Sequence, residues 1–459
     1  MKILRTLNFT FIVSISLVSL SACFWYSYKV KKPNVLILML DTLRADHMSG
    51  WGYERNTTPE LDKFAAENLK FSTALTTAPW TPPSVATILT GLYPSEHGMM
   101  PPNDRDIAKA ATSKLPSSVI TIAERLKDFG YRTAAISPNP WITKEFGYTQ
   151  GFNDFHYKHR GIAEEINKYA IKVIEKFLTE KSKDPFFLYV HYFDPHDPYE
   201  PPGEYATKFK GPLSKSAFTY DERMLELIAK YDGEISYLDA QLGKLFAFLK
   251  AKDLYDDLFI VVVADHGEQF MEHGDLRHGF KLFNEEIHIP LIIRTGRKGD
   301  VGRVVSEVVS HIDIAPTILD RIGESLPKEL SGISLLDDQK IKSRRGVMSE
   351  IRRVYDMKSM TNLEDQRLIM DVPYNKKNPD PNASLERWKT PNIIGIFDSR
   401  VDYACKAKTS NQGLENALKS SFDQTFASAQ TNAVVSLPED KIQVNDETLD
   451  QLKSLGYLQ

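Results

Sequence analysis

A threonine at the start of a short apolar helix is a candidate nucleophile in this chain. Thr81 directly precedes Pro82 and Pro83, and the apolar segment that follows them ends at Gly91. Proline is favoured in a first helical turn and glycine at a helix end, so we predict a helix that begins at Thr81. Such a terminus favours an anion and makes a hydroxyl there easier to ionise. The alternative is that Thr81 only caps the helix.

Two aspartates and a histidine could hold a metal ion beside this threonine. Asp41, Asp265 and His266 offer two hard oxygens and an imidazole nitrogen, which suit a divalent ion such as Ca, Mg, Mn or Zn. Thr81 is the predicted fourth ligand. A hydroxyl activated in this way is a nucleophile suited to a tetrahedral phosphate or sulfate ester. The sequence therefore predicts one divalent metal ion as cofactor.

Short apolar runs predict the strands that position these residues. Continuous runs without alternation are typical of strands buried on both faces of a parallel sheet. The runs are Val35–Leu40, Thr133–Ile136, Phe186–Phe193, Phe259–Ala264 and Leu291–Ile293. Ligands bind such sheets beyond the carboxyl ends of the strands. We therefore expect Asp41, Asn139, His196 and Asp265 to meet at one rim, where Asn139 would contact substrate.

Helical patterns between these runs predict the fold class. The stretches with helical spacing are Thr58–Phe71, Ser117–Phe129, Gly161–Thr179 and Asp221–Lys250. This alternation predicts an α/β domain over 34–339 with a doubly wound, mostly parallel sheet. Residues 340–459 contain charge clusters, a polar stretch over 406–432 and two alternating strand candidates, Arg367–Val372 and Ile393–Tyr403. They predict a smaller C-terminal α+β subdomain.

The N-terminus has the layout of a secretory signal. Basic residues precede the apolar stretch Leu7–Leu20, and the letters LSAC at 20–23 resemble the lipobox of bacterial lipoproteins. We predict a signal peptide over 1–22, lipidation of Cys23 and a linker over 23–33. This places the domain at a bacterial cell envelope, anchored to the membrane and facing the periplasm or the exterior. The alternative is an uncleaved membrane span with an aromatic belt over 24–28.

Charge and cysteine content exclude other classes of protein. The 459 residues carry 57 basic and 61 acidic side chains, a net charge of -4, so no positive excess exists to bind nucleic acid. With Cys23 acylated, Cys405 is the only other cysteine, and no intrachain disulfide can form. We expect Cys405 to be a packed residue rather than a nucleophile.

Several spaced motifs resemble the sulfatase family of the alkaline phosphatase superfamily. They lie at Asn34–Asp41, Thr81–Gly91, Phe187–Pro202, Val262–Gly274 and Val309–Leu336, with a similar tail at Asp446–Leu458. Several motifs in the expected order are a far more specific signal than one short motif. The resemblance implies an alkaline phosphatase-like fold and an ester hydrolase.

The resemblance also implies roles for individual residues. Asp41, Asp265 and His266 match the metal ligands of the family, and Thr81 matches the position of its nucleophile. His196 matches a histidine that contacts substrate. His278 or Lys281 lies close to the position of a second cationic residue of the family, which contacts the ester. Either His196 or His278 could protonate the leaving group. Three more residues fit the pattern as possible loop braces: Arg44, Asp46 and His273.

Three departures from the family pattern bear on the reaction. The usual nucleophile is a Cys or Ser oxidised to formylglycine, and Thr81 cannot form that aldehyde. Val85 stands where the family has an arginine four residues later, and Thr42 replaces a second adjacent aspartate. Loss of the arginine fork favours a singly charged phosphodiester over a doubly charged anion.

The sequence therefore predicts an exported, metal-dependent hydrolase that cleaves sulfuric or phosphoric esters through Thr81, with a phosphodiester favoured. Two alternatives remain: a phosphotransferase acting on an envelope glycan or lipid, and a non-catalytic anion-binding lipoprotein on the same fold. The predicted partners are an ester substrate, on a glycan or lipid, and the membrane through the lipid anchor.

Overall fold

The computed structural model describes residues 32–100, 113–352, 356–371, 391–399, 402, 404–433 and 446–454. Their strands are β1 Asn34–Leu40, β2 Leu69–Leu75, β3 Arg132–Ser137, β4 Asp154–Tyr157, β5 Phe186–Tyr192, β6 Leu258–Ala264, β7 Gln269–Phe270, β8 Leu276–Arg277, β9 His288–Arg294, β10 Val304–Val305, β11 Val309–Ser310, β12 Val347–Arg352, β13 Asp356–Thr361, β14 Gln366–Asp371 and β15 Asn392–Asp398. Their α-helices are α1 Pro59–Ala66, α2 Thr81–Thr90, α3 Pro94–His97, α4 Ile122–Asp128, α5 Ala163–Thr179, α6 Glu222–Ala251, α7 Asn284–Ile287, α8 Ile314–Arg321, α9 Asp338–Ser343, α10 Gln412–Asn432 and α11 Asp446–Ser454.

A mostly parallel sheet positions the site. Its order is β10-β2-β9-β6-β1-β5-β3-β4, with β11 also paired to β2. The three central strands β6, β1 and β5 are buried along their whole length, apart from the first residue of β1, because apolar side chains cover both faces. Their pairing is parallel, so their carboxyl ends share one edge. The predicted α/β class with a doubly wound, mostly parallel sheet is confirmed.

Several predicted elements differ from the structure in their bounds or direction. The helix predicted over Ser117–Phe129 begins at Ile122, and the strand predicted over Ile393–Tyr403 ends at Asp398. The helix expected over Thr58–Phe71 ends at Ala66, and Leu69–Leu75 forms β2 instead, with apolar residues at Leu69 and Phe71 turned inward. The run Leu291–Ile293 is a strand, but β9 pairs antiparallel with both β2 and β6. A strand buried on both faces has the same apolar pattern in either direction, so the pattern gave no information on its direction.

A second sheet lies in the C-terminal part of the chain, as predicted. Strands β12, β13, β14 and β15 pair antiparallel, and α10 packs on them through Leu418 and Phe422. The polar stretch expected over 406–432 therefore contains a helix. In β12, Ser349 donates its hydroxyl to the carbonyl of Thr76, and the N–H of Glu350 donates to the carbonyl of Thr77. The small sheet thus braces the segment that leads into α2.

Two further predictions concern the ends of the domains. The described parts of Asn34–Gln459 belong to one compact unit, and a boundary between 339 and 340 inside it stays a prediction. Residues 1–22 and Cys23 lie outside the described residues, so the signal peptide and the lipid anchor stay predictions as well. Among the helices described, none is both long and apolar enough to cross a membrane.

Candidate active site

Neighbouring strands deliver two aspartates to the same edge of the sheet. Leu40 pairs with Ala264 in the parallel register of β1 and β6, and Asp41 and Asp265 are the residues that directly follow these two strands. Both aspartates and His266 are fully buried. One ligand atom from each of the three lies within 4.8 Å of the others. The sheet therefore forms the predicted cluster.

The donor atoms of this cluster fit a divalent cation. Oδ1 of Asp41 and Oδ2 of Asp265 are buried and have no hydrogen-bond partner among the described residues, a costly state unless a cation binds there. Nδ1 of His266 donates to the carbonyl of Gly267 at 2.8 Å, so Nε2 is the nitrogen with the lone pair. That Nε2 lies 3.3 Å from Oδ2 of Asp265. The three residues offer two oxygens and one nitrogen to a single ion.

Burial shifts the pKa of both carboxyls, and the charge of Asp41 adds to the shift of Asp265. Burial raises the pKa of Asp41, and burial together with the charge of Asp41 raises the pKa of Asp265 to about 6. Two carboxylates this close cannot both ionise easily without a compensating charge. A divalent cation supplies that charge.

Asp41 is oriented by two donors to its other oxygen. Oδ2 accepts the side-chain amide of Asn139 at 2.7 Å and Nε2–H of His191 at 2.8 Å. Oδ1 of Asn139 also accepts the N–H of Trp141, so both polar ends of Asn139 serve the protein. Its position supports orientation of a metal ligand rather than the predicted contact with substrate.

His191 was not predicted from the sequence. It lies within the apolar strand β5, and burial lowers its pKa to about 3, so the ring is neutral and donates from Nε2. A polar side chain in an otherwise apolar strand, two residues before the strand run ends, was the signal that could have identified it.

Asp265 is oriented by the backbone. Its Oδ1 accepts the N–H of Thr42 at 3.1 Å and its own neighbour's N–H, from His266, at 2.9 Å. Thr42 adopts a left-handed conformation with φ of 54°, which turns its N–H toward Asp265. The remaining oxygen, Oδ2, faces the cluster.

Thr81 reaches the cluster from the first residue of α2. Its hydroxyl Oγ1 lies 3.2 Å from Nε2 of His266, and only 1% of the residue is exposed. Ser84, one turn later, donates its hydroxyl to the carbonyl of Asp265 at 2.6 Å and so fixes the helix against β6. The helix ends at Gly91 in a left-handed conformation, as predicted.

One expectation about this helix terminus needs correction. The helix terminus was expected to favour an anion, but Pro82 and Pro83 carry no backbone N–H that could donate to one. The N–H of Ser84 lies 3.3 Å from the carbonyl of Trp80 and donates to it. Donors for the ester must therefore come largely from side chains.

His196 and His278 bring imidazole rings to the cluster, as predicted. The ring centre of His278 lies 4.3 Å from that of His266 and 5.1 Å from that of His196. Burial lowers the pKa of His196 to about 4, and its Nδ1 donates to the carbonyl of Asp197 at 2.6 Å. Nδ1 of His278 pairs with Oε1 of Glu268 at 2.9 Å.

The other candidate residues brace loops. Lys281 directs its ammonium group to the carboxylate of Asp275 at 2.7 Å and to the carbonyl of His273, within the turn rather than toward the cluster. Arg44 binds Asp46 through its guanidinium at 2.7 Å and also donates to the carbonyl of Glu268. The ring of His273 pairs with Glu285. Arg44, Asp46 and His273 thus have the bracing role that was considered for them.

Cys405 lies apart from this chemistry. It packs in a cluster with Ile369 and Phe397 of the small sheet. Burial raises the pKa of its thiol to about 11, which disfavours the reactive thiolate. The expectation of a packed cysteine agrees with this environment.

The fold and the cluster define a class of protein: ester hydrolases on an α/β sheet with a buried Asp-Asp-His site. Residues 33–324 match the family described as Sulfatase. This chain belongs to the sulfatase family and is an ester hydrolase, as the motifs predicted.

Known proteins resemble this chain over most of their own length. The multifunctional alkaline phosphatase superfamily protein PehA of Trinickia caryophylli is 27% identical over 395 residues, covering 66% of this chain and 76% of PehA. An arylsulfatase of Clostridium perfringens is 24% identical over 394 residues, covering 67% and 78%. The structure of a phosphonate monoester hydrolase of Agrobacterium radiobacter superposes with a TM-score of 0.66 at 17% identity, covering 90% of this chain and all of that one.

Proposed function

We propose that this protein is a metal-dependent hydrolase in which Thr81 attacks a phosphoric or sulfuric ester, with a phosphodiester as the preferred substrate. The observation that carries the proposal is the 3.2 Å separation between the Thr81 hydroxyl and Nε2 of His266, inside a buried Asp-Asp-His cluster. A hydroxyl placed among metal ligands at a helix start is suited to become a nucleophile.

The reaction has two displacement steps. Oγ1 of Thr81 forms a bond to phosphorus or sulfur and releases its proton to solvent water, and the bond to the leaving alcohol breaks. His278 gives a proton to the departing oxygen, while His196 lies beside the ester oxygens. Water then cleaves the covalent threonine ester, restores the hydroxyl and releases the acid. Asp41, Asp265 and His266 would hold a divalent ion, whose positive charge would favour an ionised oxygen on Thr81.

The side chains around Thr81 favour a substrate with one negative charge. Val85 is fully buried one turn into α2, where the family has an arginine. Without that guanidinium and with two proline residues in place of N–H donors, few fixed donors remain for a doubly charged phosphate monoester. A phosphodiester or a sulfate ester carries a single charge and needs fewer.

A panel of esters tests this proposal. The purified full chain is assayed with an aryl sulfate, an aryl phosphate monoester, a phosphodiester and a phosphonate, each with Ca, Mg, Mn or Zn. We expect the highest kcat/KM for the phosphodiester, loss of activity with a chelator, and no activity in Thr81→Ala. Full activity in Thr81→Ala contradicts the nucleophile. Stoichiometric metal with no turnover of any ester favours the anion-binding alternative.

Product analysis separates hydrolysis from transfer. If an added alcohol captures the phosphoryl group in preference to water, the protein is a phosphotransferase, and a glycan or lipid of the envelope becomes the natural acceptor. We propose hydrolysis, which predicts release of the free acid whether or not an alcohol is added.

We also propose that the protein is exported and anchored at the cell envelope through a lipid on Cys23. The motif at 20–23 supports this location. Mass spectrometry of the mature N-terminus checks it: a diacylated or triacylated Cys23 is expected, and Cys23→Ala should leave the membrane fraction. An unprocessed N-terminus that starts at Met1 contradicts the lipid anchor and favours an uncleaved span.

A further inference from the structure

Glu268 connects two loops that reach the site, and it has no part in the proposed displacement steps. It is fully buried and lies two residues after His266. Its Oε1 pairs with Nδ1 of His278 at 2.9 Å, and its Oε2 accepts the hydroxyl of Tyr199 at 2.9 Å. One carboxylate is therefore bonded both to the hairpin that ends at His278 and to the loop that carries His196.

A different carboxylate fixes the backbone after His278. Glu286 accepts the N–H groups of Gly279 at 2.6 Å, Phe280 at 3.0 Å and Lys281 at 2.7 Å. The backbone of this loop thus has an anchor that does not involve Glu268. What Glu268 adds is a contact to the imidazole ring itself, which decides how that ring is turned.

We propose that Glu268 is a positioning residue that holds the His278 ring with a proton on Nδ1 and presents Nε2 to the leaving group. A carboxylate that accepts Nδ1–H selects this tautomer and fixes the plane of the ring. Before the displacement Nε2 takes up a proton from solvent, and during the first displacement it gives that proton to the departing oxygen while Nδ1–H stays bonded to Glu268. This inference rests on the proposed function, because it assigns the leaving-group proton to His278.

The second bond of Glu268 gives the role its geometry. Tyr199 lies three residues after His196, and its ring packs edge-on against Tyr231 at 5.5 Å between centres. Tyr231 in turn donates its hydroxyl to the carbonyl of Thr42 at 2.7 Å. The carboxylate is thereby supported from the rigid core, so it can hold a ring in place rather than follow it.

A double-mutant cycle with two leaving groups tests this role. The variants Glu268→Ala, His278→Ala and the double variant are compared with wild type on a phenyl and a para-nitrophenyl ester at saturating metal. We expect Glu268→Ala to lower kcat about tenfold or more for the phenyl ester, whose poor leaving group needs the proton, and less than about threefold for the para-nitrophenyl ester. In the His278→Ala background, Glu268→Ala should cost nothing further.

Equal losses on both esters, or losses that multiply in the double variant, overturn the proposal in favour of a purely structural role. Tyr199→Phe removes the support of the same carboxylate and should shift the ratio of the two rates in the same direction by a smaller factor. Tyr220→Phe is the matched control: it removes a tyrosine–glutamate bond of the same kind, to Glu272, and should change the ratio by less than about twofold. If Glu268→Ala does not fold, Glu268→Gln enters the same cycle, since it keeps the volume and replaces one acceptor oxygen by a donor.

Imidazole ¹⁵N chemical shifts give a readout without turnover. The His278 signal, assigned by its loss in His278→Ala, should show a proton on Nδ1 in wild type and a shift toward protonated Nε2 in Glu268→Ala. An unchanged tautomer overturns the proposal even if no ester is cleaved. Activity retained in Thr81→Ala would instead contradict the nucleophile, and the Glu268–His278 cycle could still be read in that enzyme.

Discussion

Nε2 of His191 lies 2.8 Å from Oδ2 of Asp41, and this hydrogen bond connects the central strand β5 to the Asp-Asp-His cluster. Because burial lowers the pKa of His191 to about 3, the ring is neutral and donates at any pH where the carboxylate is ionised. The bond leaves Oδ1 of Asp41 to face the cluster.

We expect His191→Phe to weaken the binding of a divalent ion by about tenfold to a hundredfold, because Asp41 then keeps only the donor from Asn139. Isothermal titration with Mn or Zn measures this. His97→Phe is the control, since His97 is equally buried but pairs with Thr87. Equal losses of affinity in both variants would show that the effect is general damage to the core.

The sequence predicted the ends of the central strands well. Continuous apolar runs set β1, β5 and β6, and the residues immediately after them had to share an edge once the strands were parallel. Asp41, Asp265 and His266 therefore meet as expected. Thr81 joins them because Pro82 and Gly91 delimit a helix, and the first residue of this helix lies at the same edge of the sheet.

Side-chain bonds between distant residues could not be predicted in this way. His191 and Glu268 act through partners in other segments, and no local pattern connects His191 with Asp41 or Glu268 with His278. Lys281 shows the converse: its position after His278 suggested a substrate contact, but the turn lets its ammonium reach Asp275 instead. Spacing places residues near a site and leaves the direction of a long side chain open.

Metal affinity should fall as the pH drops through about 6. In the metal-free protein the pKa of Asp265 is raised to about 6, and the ion must displace its proton in order to bind. Below that pH the apparent affinity should decrease by up to about tenfold for each pH unit, whereas above pH 7 it should be nearly constant in this respect. Metal titrations at pH 5, 6 and 7.5 check this, and a flat profile between pH 5 and 7.5 would contradict it.

The raised pKa of Asp265 also predicts that this metal ligand lowers the stability of the metal-free protein at neutral pH. The pKa of Asp265 is higher in the folded chain than its ordinary value of 3.8, so protonation of this carboxyl stabilises the fold fully below pH 3.8. This contribution to stability is lost as the pH rises through about 6. Asp265→Asn stays neutral at pH 7. With a chelator present, we expect this variant to be more stable than wild type by about 1–3 kcal/mol.

Thermal unfolding at pH 7 with and without a divalent ion measures this difference. Added metal should raise the midpoint of wild type and leave that of Asp265→Asn unchanged, so the order of stability can reverse. A chelated Asp265→Asn that unfolds earlier than chelated wild type would show that Asp265 is not under electrostatic strain.

Gly267 is predicted to be the least replaceable residue of the segment that holds His266 and Glu268. A Cβ atom at this position would lie 2.0 Å from the carbonyl oxygen of Glu285, which accepts the N–H of Glu268 at 2.8 Å. Neither backbone can move without breaking that bond. We expect Gly267→Ala to lower the free energy of unfolding by about 3 kcal/mol or more and to weaken metal binding, because His266 shifts with it.

Gly274→Ala is the control: Gly274 has φ of 89° with open space around it, so only backbone strain of about 1 kcal/mol is expected. Denaturant unfolding measures the free energy of unfolding of the two variants. A Gly267→Ala protein as stable as Gly274→Ala would contradict the prediction, because the backbone at Gly267 and Glu285 would then have moved apart at little cost.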